Sequence, residues 1–150
     1  MSDFNIFLDA LSGDEFEETP VPLEQFVTDK KYLGLPPLSD YQYMMLRAST
    51  QIYKRDTLIR LYGEEGGEKI WKQTCSEVIL QLGKGSGKDY TSTIACAYIV
   101  YLLLCLKDPA AYYGKPPGDA IDIINIAINA QQANRGFFKG FQQRIAKSPW

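Results

Sequence analysis

Glu77-Val-Ile-Leu-Gln-Leu-Gly-Lys-Gly-Ser-Gly-Lys-Asp89 decides how the rest of the chain is read. Val78 to Leu82 is a short apolar run of strand character, and a glycine-rich turn ending in Gly87-Lys88 follows it. From Tyr90 to Leu106 the chain is almost continuously apolar, the pattern of a helix covered on every side. Strand, glycine turn and helix in this order make a corner that binds phosphate. Gly83, Gly85 and Gly87 tolerate positive φ and close backbone approach, so successive N–H groups can point into one concavity. A helix opening near Lys88 adds its unpaired N–H groups and the positive end of its dipole. Lys88 then reaches the β- and γ-phosphates as a point charge. The plain alternative is a glycine-rich turn between strand and helix that binds nothing.

The P-loop pattern is met with two departures. Counting back from Gly87-Lys88, the usual first glycine falls on Leu82, and Gly83 comes one place late. The usual Ser or Thr after the lysine, a magnesium ligand through its hydroxyl, is Asp89. A carboxylate holds a hard cation at least as well as a hydroxyl, but it also brings negative charge towards the phosphates. Asp89 therefore acts on the metal directly, acts through water, or leaves it to Thr91 or Ser92.

Composition narrows the chemistry. The 150 residues, 45% of them apolar, suit one domain with a real core. There is no histidine, which excludes histidine general bases and histidine-ligated metal within this chain. Cys75, Cys96 and Cys105 are odd in number and lack metal spacing, so they read as free thiols of a reducing compartment. Met1 to Gly13 is acidic where a secretion signal would be basic. Ile94 to Leu106, the most apolar stretch, falls well short of the ~20 residues that span a bilayer. A soluble protein of the cytoplasm, with no membrane partner, is expected. The net charge of −2 hides an asymmetry: residues 1–29 hold eight acidic groups and no basic one, whereas residues 30–150 carry +6. Such a body is compatible with a polyanion partner and equally with an ordinary solvated surface.

Phe4, Phe7, Leu8 and Leu11 fall at helical spacing, predicting a short amphipathic helix on an acidic arm spanning 1–30. The remaining 31–150 form the second unit. Ser39 or Asp40 caps a helix predicted from Tyr41 to about Tyr62, ended by Gly63-Glu-Glu-Gly-Gly67. After the long apolar helix, Ile121 to Asn129 is β-branched and strand-like, and a polar helix follows from Gln131 to Ile145. The alternation predicts an α/β fold with a parallel sheet flanked by helices and a helical amino-terminal extension.

Pro-Pro-Leu-Ser-Asp-Tyr-Gln42, then Gly-Lys-Gly-Ser-Gly-Lys-Asp89, then Ile-Asn-Ile-Ala-Ile-Asn-Ala-Gln-Gln-Ala-Asn-Arg-Gly-Phe-Phe138 together resemble the start of a bacteriophage terminase large subunit. The resemblance covers about residues 33–147 and rests on the order of motifs. It implies a P-loop NTPase of the helicase-like ASCE type, incomplete in these 150 residues. It implies ATP and Mg2+ as cofactors and an ATPase that drives double-stranded DNA into a capsid. Partners would be other copies in a ring, a small terminase subunit and the capsid portal, in the host cytoplasm. Gln42 matches the glutamine that recognises adenine, an amide able to donate and accept at once. Gly83, Lys84, Gly85, Ser86, Gly87, Lys88, Asp89 and Tyr90 match the phosphate-binding loop and its helix start. Lys84 and Lys88 take the catalytic positions, Lys84 where a basic residue can swing towards the γ-phosphate. Asp89 and Thr91 fall to the metal. The 121–129 strand and Gln131-Gln132 match the element that couples nucleotide state to DNA grip, and Arg135, Lys139 and Arg144 meet DNA phosphates or form a solvated face.

Hydrolysis in such motors needs four apolar residues ending in Asp-Glu, and these 150 residues contain no such string; Asp122 is the only acid of the 121–129 run. The nuclease half is missing as well. The expectation is therefore the first part of a longer motor that binds nucleotide and hydrolyses it poorly alone. The rivals are another P-loop enzyme, such as a small-molecule kinase, and a nucleotide-binding interaction module without chemistry.

Overall fold

A computed structural model describes residues 14–72 and 77–150. Its elements are α1 (Leu23–Thr28), α2 (Asp40–Thr50), α3 (Arg55–Lys72), α4 (Lys88–Cys105), α5 (Pro109–Tyr112), α6 (Ala130–Gln132), a π-helical turn (Ala133–Phe138) and α7 (Lys139–Lys147). The amphipathic helix expected at Phe4–Leu11 lies outside the described residues, as does Cys75.

The central element is α4, as its apolar sequence requires. It is 18 residues long, about 27 Å at helical rise. Thr91, Thr93, Ile94, Ala95, Cys96, Ala97, Tyr98, Tyr101 and Cys105 are all buried on it. Leu23, Phe26 and Val27 of α1, Tyr32 after it, and Leu46 of α2 close over one side, and Phe141 of α7 packs on the same core. Towards the carboxyl end the packing is aromatic. The ring of Tyr101 lies 4.8 Å from Phe26, 5.4 Å from Tyr32 and 4.7 Å from Trp150. Buried phenols need partners, and one residue serves two: the Tyr98 hydroxyl donates to the Val21 carbonyl, and the Val21 N–H donates to the Tyr101 oxygen, both at 2.8 Å. Burial pushes both phenol pKa values far up, so neither ring ionises.

The described part of the acidic arm is not set apart from the body. Phe16 bridges to Leu106, the N–H of Glu17 donates to the Cys105 carbonyl at 2.9 Å, and α1 contributes three side chains to the core.

The expected sheet is not formed among the described residues. Residues 77–82 and 121–127 are not helical, but no strand pairs with either. Ile79 is 80% exposed and Ile126 87% exposed. A ladder needs a neighbouring backbone to receive its N–H and C=O groups, and among the described residues neither segment is paired with one.

The single helix expected from Tyr41 to Tyr62 is two. Gln51 takes a left-handed conformation (φ 57°) and ends α2, and α3 starts at Arg55. The glycines after Tyr62 interrupt the helix as expected: α3 is two helical stretches that meet at a kink at Gly63. Gly63 is non-helical (φ 73°, ψ 172°), and a Cβ on Gly67 would sit 2.6 Å from the Ile59 nitrogen. Only glycine lets the two halves approach so closely. The helix expected at 131–145 starts as α6, widens into the π turn around Gly136 and tightens again as α7.

Candidate phosphate-binding site

The loop 83–87 delivers the chain into α4. Gly85 (φ 82°) and Gly87 (φ 77°) have positive φ, which other residues adopt only at a cost. Gly83 does not, and a Cβ there would meet nothing within 4 Å, so glycine at 83 is not demanded by this conformation. The Ser86 N–H donates to the Gly83 carbonyl at 3.3 Å and closes a tight turn. Gly87 is the N-cap of α4 and supplies no side-chain acceptor, so the first N–H groups of the helix stay available. The Ser86 Oγ is buried without a hydrogen-bond partner. Lys84, Lys88 and Asp89 are exposed, and none of them forms an ion pair among the described residues.

Gln42 arrives at this loop from another part of the chain. Ser39 and Gln42 form a reciprocal capping box at the start of α2, with the Gln42 N–H donating to Ser39 Oγ and the Ser39 N–H donating to Gln42 Oε1 at 3.0 Å. Because α2 packs along α4, the Gln42 Nε2 reaches Gly87, 3.4 Å from where a Cβ would stand. In this arrangement the amide nitrogen faces the loop while the amide oxygen serves the cap.

The other sequence-derived residues part company. Thr91 is 2% exposed, and its hydroxyl donates to the Gly87 carbonyl at 3.0 Å; the Ser92 hydroxyl donates to the Lys88 carbonyl at 2.7 Å. Both hydroxyls are thus engaged by the backbone of α4 itself, whereas Asp89 is exposed. Tyr90 is half-buried, and the Arg144 guanidinium lies 4.3 Å from its ring centroid. Arg144 also donates from Nε to the Thr93 hydroxyl at 2.8 Å, which ties it into the fold and away from a freely solvated face. Arg135 and Lys139 are exposed. No group of three or more metal-ligating side chains occurs among the described residues.

A cleft of about 690 Å³ lies beside α2 and α3, lined in part by Tyr41, Met44, Leu58, Leu61 and Tyr62. Glu24 stands at it between Lys54 and Arg47. Burial alone would raise the pKa of this carboxyl, but hydrogen bonds from the two cations turn the net shift downward. This cleft was not legible in the sequence, because its lining joins residues 24, 40–62 and 70 from three helices across the unforeseen break at Gln51.

No helix of the described residues is long and apolar enough to cross a membrane. No curated protein and no solved structure is similar enough to match this chain. The family model described as "Uncharacterized protein MJ0330, N-terminal P-loop domain" matches residues 2–150. With that match over nearly the whole chain, and a glycine loop opening directly onto the central helix, the chain belongs to this family of P-loop domains.

Proposed function

We propose that this P-loop domain binds ATP with magnesium through residues 83–90, as the nucleotide-binding part of a DNA-translocating ATPase. The supporting observation is the chemical incompleteness of the loop. Among the described residues, Ser86 Oγ is buried without a partner, the helix beyond it has no side-chain cap, and Lys84 and Lys88 form no ion pair with a carboxylate. Leaving a buried hydroxyl unpaired costs roughly 1–3 kcal/mol, a penalty that a phosphate oxygen would relieve. Gly85 and Gly87 turn the backbone around the phosphates, Lys88 carries charge to them, and Lys84 approaches from the outer side. Gln42 offers its amide nitrogen to the nucleotide. Asp89 would hold the magnesium, directly or through water, and the metal supplies charge neutralisation between the β- and γ-phosphates. Thr91 is the weaker candidate, because its hydroxyl is already spent on Gly87.

The motor reading rests on the order of the three sequence motifs and on Gln42 meeting Gly87. It carries with it double-stranded DNA, a ring of identical subunits, a small terminase subunit and a capsid portal as partners, and the host cytoplasm as location. A second reading is a nucleotide-binding interaction module. It is favoured by Asp122, the only acid of the 121–129 run, which is exposed and stands in no apolar-Asp-Glu string.

Calorimetric titration with MgATP tests the site. Lys88→Ala should weaken binding by about tenfold or more at unchanged unfolding temperature. Equal affinity in both proteins would remove the site assignment. ATP turnover stimulated by DNA favours the motor over the module; phosphoryl transfer to a small acceptor would replace both with a kinase.

A further inference from the structure

Among the described residues, Arg144 is a basic side chain fastened to the first turns of α4 from another helix. Its Nε donates to the Thr93 hydroxyl at 2.8 Å, and its guanidinium covers the Tyr90 ring at 4.3 Å. Gly140, one turn earlier on α7, lets the two helices close up: a Cβ there would lie 3.5 Å from Thr93 Cγ2. Despite this half-buried setting, Arg144 forms no ion pair among the described residues.

Arg144 lies in the last turn of α7, where the negative end of that helix's dipole favours a cation, and its guanidinium faces the Tyr90 ring. Tyr90 belongs to the first turn of α4, two residues after Lys88, so this contact braces the end of the helix onto which the glycine loop opens.

We propose that Arg144 is a positioning residue of the nucleotide site. It holds Tyr90 and Thr93, and thereby the turn that presents Lys88 and Asp89. The inference rests on the nucleotide-binding reading above and adds a role for α7, which the π turn joins to the 121–129 segment. Binding at the loop should in turn tighten the packing of α7 on α4, because coupling between two sites is reciprocal.

The test compares wild type, Arg144→Gln and Arg144→Lys by MgATP titration and by thermal unfolding without ligand. Arg144→Gln should lose roughly fivefold or more in affinity, a larger loss than any change in its unliganded unfolding temperature explains. Arg144→Lys should recover a part of the affinity, because it restores the charge but not the planar stacking. Thr93→Val, which removes the acceptor of Arg144 together with the hydroxyl's own bond to the Tyr90 carbonyl, covers the case in which Arg144→Gln does not fold, and should weaken binding in the same direction. Wild-type affinity in Arg144→Gln together with a lowered unfolding temperature would make Arg144 a structural strut and overturn the proposal. If wild type and Lys88→Ala bind equally, or neither binds, the nucleotide reading itself fails and the inference goes with it. Clear wild-type binding that is sensitive to Lys88 and indifferent to Arg144 sinks the inference alone.

Discussion

The two ends of α4 are built by opposite rules. At the carboxyl end, Tyr98, Tyr101 and Cys105 are buried, the phenols are hydrogen-bonded to Val21, and aromatic rings from α1, residue 32 and residue 150 surround them. The Cys105 carbonyl also receives the N–H of Glu17. At the amino end the cap is a glycine, and among the described residues Ser86 Oγ has no partner and the exposed Lys88 and Asp89 form no ion pairs. One helix thus anchors the fold with one end and leaves its hydrogen-bonding capacity unspent at the other. Where a well-packed element leaves donors unspent, a ligand is the natural partner.

The largest effect should come from the packed end. Tyr101→Ala removes a ring that touches Phe26, Tyr32 and Trp150 and leaves the Val21 N–H without its acceptor. A loss of about 3–5 kcal/mol in chemical denaturation is expected. A loss under ~1 kcal/mol would contradict the contrast between the two ends. At the loop, Gly87→Ala forces a side chain into φ 77° and against the Gln42 amide, at 3.4 Å. It should cost only about 1–2 kcal/mol of stability, yet weaken MgATP binding by a larger factor than Tyr101→Ala does in protein that remains folded. The reverse order would show that this glycine serves packing and not binding.

Much of this contrast was legible in the sequence, and for identifiable reasons. The apolar run from Tyr90 to Leu106 could only be a covered helix, and Gly87-Lys88 before it fixed where that helix starts. Ser39 before Asp40-Tyr-Gln42 announced a cap that the structure realises as a capping box. The break at Gln51 was not legible, because a left-handed glutamine carries no composition signal. Glycines at 63–67 read as a helix stop, and Gly63 does break the helix, but the sequence does not show that Gly67 then packs against Ile59. Arg144 read as one of three similar surface cations, and only the packing of α7 singles it out. The aromatic cluster joins residues 26, 32, 101 and 150, a long-range meeting that periodicity cannot foresee. The strand-like runs at 78–82 and 121–129 have the β-branched composition of parallel strands. Among the described residues their neighbours are missing, so composition alone does not yield a sheet.

Backbone amide NMR during a MgATP titration tests the central claim most directly. The amides of residues 85–90 should shift together and saturate at one affinity, while those of residues 98–106 stay in place. Shifts confined to the carboxyl end of α4, or none at 85–90 with nucleotide in large excess, would contradict the claim that the amino end of this helix is a phosphate cradle.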